Sequence, residues 1–146
     1  MRYFFIEPEV AGSSEGDNSV MDRSVHPPVA SRLHYVFAGW GGDVLLESFP
    51  AFIVTEDAME KLMESGATAG TRFADVEITT TYPFRELYPD TKLPKFVWLQ
   101  VTGRAGQDDF GLVANKRLVI SEHALDVLKG IQLTDALIEP FENSKD

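Results

Sequence analysis

Apolar and polar positions change rhythm several times along the chain, and each change marks an element. Residues 33–37 alternate apolar with polar side chains, the period of a half-buried strand. Residues 73–81 do the same: Phe73, Asp75 and Glu77 oppose Ala74, Val76 and Ile78, and three threonines that favour extended backbone follow. This predicts one strand over 73–81. The run FVWLQVT at 96–102 is the most β-rich in the chain and predicts a central strand. RYFFI, closed by Pro8, predicts a first strand, and residues 108–113 and 118–120 predict short ones. Residues 44–49 fit a short strand or a helical turn, and residues 84–88 one helical turn inside a proline-punctuated connection.

Between these runs the rhythm lengthens to that of a helix, twice and in the same way. IVTEDAMEKL at 53–62 is matched by VISEHALDVL at 119–128. In each copy an apolar run meets a hydroxyl residue, Thr55 or Ser121, placed to accept a bond from an otherwise orphan helix N–H. Acidic residues follow, where they oppose the positive end of the helix dipole. Positions 58, 59, 62 and 63, and again 124, 125 and 128, share one helical face. Gly66 is placed to end the first helix as its C-cap. After the second helix, Ala136-x-Ile138-Glu139 echoes Ala74-x-Val76-Glu77 with four fewer residues in between. A duplication accounts for the match, and so do common capping rules.

Residues 11–29 hold Gly, Ser, Asn and Asp and then His26-Pro27-Pro28, which predicts a long loop, packed over the surface or carrying binding contacts. Residues 140–146 predict a frayed charged tail. Together the elements predict one α+β domain over residues 1–146. Its sheet is mixed or mainly antiparallel, with two principal helices on one side and two related strand–helix units.

Composition narrows the chemistry. With 44% hydrophobic and 11% aromatic residues, the 146-residue chain can bury a sizeable core. No apolar run approaches a membrane span, and the N-terminus reads as a strand rather than a secretory signal, so a cytoplasmic protein is expected. Zero cysteines exclude disulfides and thiolate chemistry. The net charge of −10 opposes nucleic acid and anionic membranes and favours a basic protein partner.

His26, His34 and His123 stand in no metal-binding spacing, and no GxSxG elbow is present. Ser121 occupies a tempting nucleophile position, but its match with Thr55 makes it a cap. The glycines at 39–42 lack the Lys-Ser/Thr of a phosphate loop, and Asp43 would repel a phosphate. Asp108 and Asp109 follow no Ca²⁺-loop pattern and read as turn formers or as partner contacts. No cofactor, metal or catalytic residue is implied. Trp40, between glycines, is a plug on the core or an interface anchor. The expected partner contacts are Trp40 and Asp43 on one loop and Asp108 and Asp109 on another. Glu56, Asp57, Glu60 and Glu64 add an acidic helix face.

The segment Ile120-Ser121-Glu122-His123-Ala124-Leu125, with its looser copy at 53–62, resembles the immunity proteins of bacterial polymorphic-toxin and secretion-effector systems. Related segments often carry an arginine where this chain has His123. The resemblance covers the two modules and not the N-terminal third. It implies a non-enzymatic inhibitor that binds a cognate toxin, and it supplies no catalytic residues. Two other readings stand beside it: an accessory or regulatory domain that binds another cytoplasmic protein, and a small hydrolase using Asp43 and Asp108–Asp109.

Overall fold

A computed structural model describes residues 1–22, 24–25 and 29–142. The first strands are β1 (Tyr3–Glu7), β2 (Gly12–Ser13), β3 (Val20–Asp22), β4 (Val29–Arg32) and β5 (His34–Phe37). Next come β6 (Leu45–Ser48), β7 (Ala51–Thr55), α1 (Glu56–Glu64), β8 (Thr71–Ala74), β9 (Glu77–Thr80) and α2 (Tyr82–Leu87). The chain closes with β10 (Phe96–Val101), β11 (Phe110–Leu112), β12 (Leu118–Ser121), α3 (Glu122–Lys129) and β13 (Leu137–Phe141). The fold is α+β, as expected.

Two antiparallel four-stranded sheets, ordered β6-β7-β10-β8 and β11-β12-β1-β13, share one plan. In each, a hairpin (β6–β7 or β11–β12) runs through a hydroxyl cap into a helix and on to an edge strand, β8 or β13. A central strand, β10 or β1, fills the gap. Registers agree as well: β10 sets Phe96 against Thr55 and Trp98 against Ala74, while β1 sets Tyr3 against Ser121 and Phe5 against Glu139. So Phe5 stands where Trp98 does, and Ile6 where Leu99 does. The caps are matched too. Thr55 Oγ1 accepts from Ala58 N and Ser121 Oγ from Ala124 N, each at 3.1 Å. Glu56 N donates to Lys95 O, and Glu122 N to Arg2 O, each at 2.8 Å. Even the ion pairs recur, Lys95–Glu56 at 3.0 Å and Arg2–Glu122 at 2.9 Å.

The repeat therefore extends beyond the two modules to a third segment, RYFFIE against KFVWLQ. Its expected continuation does not hold. Glu139, not Ala136, takes the place of Ala74, and Ile138 that of Phe73. The ladder with the central strand fixes this register, because Ile138 and Phe73 must both face the core.

Past its own sheet, each central strand crosses to the other. Glu9 bridges Leu46 and Arg104 bridges Leu112, both in parallel. The sheets thus share one interior, where α1 packs on α3 and Phe52, Val54, Leu62, Leu118, Ile120 and Leu128 are buried together. Gly66 sits one position past the C-cap Ser65 at φ 68, with Ala67 N returning to Leu62 O at 2.9 Å. That left-handed position after the cap is where a glycine is needed.

The units differ in what they carry. The connection from β1 to β6, residues 8–44, holds β2 to β5, whereas its counterpart from β10 to β11 is only residues 102–109. Residues 75–95 add β9 and α2. These insertions build the sheet β2-β5-β9, with β5 and β9 parallel, against the outer face of β7 and β10. Tyr35 and Phe37 are fully buried there against Ile53, Phe96 and Trp98, with Phe84 of α2.

The single strand expected over 73–81 is thus two, broken at Asp75–Val76. Period-two alternation is identical on both sides of the break and could not show that the chain changes sheets. The long loop 11–29 contains β2 and β3, the latter pairing with β4; His26-Pro27-Pro28 lies outside the described residues. The tail is strand as far as Phe141, whose ring meets Phe5 edge-on at 5.0 Å. Pro140 is tolerated there because β13 is an edge strand.

Candidate functional site

The loop aspartates come from turns that the fold uses for its own closure. Asp43 precedes β6 and is completely buried. Its Oδ1 accepts from Thr134 N at 2.8 Å and from Thr134 Oγ1 at 3.2 Å, and its Oδ2 accepts from Asp135 N at 2.8 Å. It fastens the approach to β13 and is not available to a partner, which corrects the expected surface role. Buried N–H groups need such acceptors, and a carboxylate supplies several at once. Trp40 is the plug rather than the anchor. It is half-buried, its ring lies edge-on to Phe96 at 6.0 Å, and its Nε1 donates to Asp43 O at 3.0 Å.

Asp108 and Asp109 are half-buried, and both bond to the fold itself. Asp108 Oδ2 accepts from Arg104 N at 2.7 Å, closing the turn before β11. Asp109 Oδ1 accepts from Ser121 Oγ at 2.6 Å and Oδ2 from Ala69 N at 3.1 Å. Asp109 thereby holds the Ser121 hydroxyl while its oxygen caps α3. These carboxylates are the turn formers of the alternative reading.

On α1 the picture differs. Glu56 is half-buried beside Lys95, and Asp57 pairs with Lys61 at 3.5 Å. Glu60 and Glu64 are exposed and form no ion pair among the described residues. Met63, 58% exposed, lies between them. The structure therefore does not join the eight expected residues into one site. It leaves Asp57, Glu60 and Glu64 as the accessible acidic group.

Sequence reasoning missed Glu9 and Asp135. Carboxylate oxygens of Glu9, Asp43 and Asp135 lie within 4.8 Å of one another. Glu9 accepts from Gly41 N and, at 3.4 Å, from Asp43 N. Burial holds the Glu9 carboxyl above its ordinary pKa, with Asp43 and Asp135 adding to that and the backbone bonds opposing it. Three such oxygens match the donor set of a hard cation. Both Asp43 oxygens already accept N–H bonds, as in a loop clasp. No short motif could reveal the group, because Asp43 stands 34 residues from Glu9 and 92 from Asp135.

The histidines are not brought together either. His34 is buried, its Nδ1 accepting from Asn18 N at 3.2 Å and its Nε2 lying 2.8 Å from Thr79 Oγ1. His123 is exposed on α3, and His26 lies outside the described residues. Among protein families, curated proteins and solved structures, the chain has no match.

Proposed function

We propose that this chain is a non-enzymatic acidic binding protein that neutralises a cognate bacterial toxin or effector by direct contact in the cytoplasm. The observation that carries the reading is the outward side of α1. There Asp57, Glu60 and Glu64 stand exposed around Met63, on the strand–cap–helix module that is the looser copy of the segment with the resemblance. A net charge of −10 would steer a basic partner toward the molecule, and an apolar residue among the acids gives such a partner something to bury. Asp43, Asp108 and Asp109 are occupied with backbone donors, which removes the motive for the hydrolase reading. No described helix is long and apolar enough to cross a membrane.

The test is to express the product of the adjacent reading frame with and without this chain. Growth arrest relieved by co-expression, with co-purification of the two chains, is the expected result. An adjacent product that is harmless alone, or that arrests growth regardless of this chain, would remove the proposal. Stable association with a harmless protein would instead support the accessory-domain reading.

A further inference from the structure

Two clefts flank the turns of the twin hairpins, and the internal repeat makes them counterparts. The first, about 360 Å³, lies between the end of β1, the β6–β7 turn and the approach to β12. Its walls include Glu7, Glu47, Phe49, Asn115 and Arg117. The second, about 280 Å³, lies between the end of β10, the start of β7 and β11, with Phe52, Trp98, Val101 and Leu112 in its walls. Lys116, at φ 68 in the turn before β12, stands on the wall common to both. The registers map each wall onto the other: Gln100 replaces Glu7, Ala51 replaces Arg117, and Leu112 replaces Glu47. One cleft is apolar where its counterpart is charged.

The fold does not require those charges, since the same plan closes around Gln100 and Leu112. Glu47 is half-buried, and burial, reinforced by Glu7, holds its carboxyl above the ordinary glutamate pKa. Neither Glu7 nor Glu47 forms an ion pair among the described residues. Arg117 is engaged elsewhere, 4.0 Å above the Phe5 ring and 3.6 Å from Glu139. Phe49, 52% exposed, stands at the rim. A half-desolvated carboxylate without a cation is costly, and a cation brought by a partner offsets that cost. The neighbouring apolar cleft suits a side chain with no charge at all.

We infer that the paired clefts form a docking surface for an extended segment of a basic protein, with a Lys or Arg held by Glu7 and Glu47 and a nearby aliphatic or aromatic residue seated against Trp98 and Leu112. This deepens the proposed function by naming a second contact surface, on elements other than α1, and it rests on that reading for the identity of the partner.

The test pans random 12-residue peptides on the full chain and measures binding of the enriched peptides to three proteins: wild type, Glu47→Leu and Glu7→Gln. Both substitutions install the residue that the counterpart cleft already carries, so the variants are expected to fold. Enriched peptides should hold Lys or Arg within a few residues of Leu, Phe or Trp and shift the amide signals of Glu47, Trp98 and Leu112. They should lose roughly tenfold or more in affinity, together with most of their salt dependence, in either variant. No enrichment, peptides without a basic residue, or undiminished binding to both variants would overturn the inference. The two proposals separate cleanly. A chain that relieves growth arrest with Glu7 and Glu47 replaced keeps its function and loses this surface, whereas mapped peptide binding without a toxic neighbour does the reverse.

Discussion

The outer faces of the two four-stranded sheets start from matching residues and end in different surroundings. Over β10 and β7, the insertions at 8–44 and 75–95 place a second sheet, and Phe96, Trp98 and Ile53 are buried beneath it. Over β1, the counterparts Tyr3 and Phe5 meet the short loop 102–109, the Arg117 guanidinium and the Phe141 ring, while Val119 of β12 is buried. Tyr3 and Phe5 stay half-exposed. The repeated plan sets backbone and core, while the insertions decide which face water reaches. One unit is a platform for the chain's own extra layer, and the other keeps its face.

The largest expected effect lies in that layer. Phe37→Ala should cost about 3–5 kcal/mol in urea denaturation, because the side chain is wholly enclosed and its cavity cannot collapse. Phe5→Ala, on the open face, should cost about 1–2 kcal/mol, since much of its ring already meets solvent. Equal losses would mean that the two faces are equally covered.

The caps give the next contrast. Thr55→Ala removes one helix acceptor and should cost about 1 kcal/mol. Ser121→Ala also deprives Asp109 of its 2.6 Å donor and should cost about 2 kcal/mol. Replacing Asp109 by Ala first should bring the two caps level in a double-mutant cycle.

A smaller effect separates Glu47 from Leu112. In the folded chain Glu47 binds its proton more tightly than in the unfolded chain, so ionisation favours unfolding. Its penalty is absent at acid pH and grows as pH rises through and just above the ordinary glutamate range. Glu47→Leu should therefore raise the urea midpoint at neutral pH, and the gain should vanish toward acid pH. A gain that instead grew on acidification would contradict the desolvated carboxylate. Smallest of all, Lys95→Ala and Arg2→Ala should leave the midpoint unresolved from wild type, because both ion pairs are exposed.

What was legible in the sequence was local. Thr55 and Ser121 announce their helices because a cap and its N–H lie three residues apart. FVWLQVT announces a central strand because it is β-rich and buried on both faces. The role of RYFFI was hidden: its counterpart, KFVWL, follows its helix, whereas RYFFI precedes its own. Asp43 looked like a surface turn residue because Thr134, which it fastens, is 91 positions away. Trp40 could not be assigned between plug and anchor for the same reason, since only the fold brings Phe96 beneath it.

Chain order also bears on how the molecule is made. The sheet β6-β7-β10-β8 draws on residues 45–101 and can close while later residues are still being synthesised. Its counterpart needs β1 between β12 and β13, so Tyr3 waits for Ser121 and Phe141. Until then the aromatic strand RYFFI has both edges open, and closing so long a loop is slow. RYFFI is synthesised before both strands that it pairs with and is among the last to find its place.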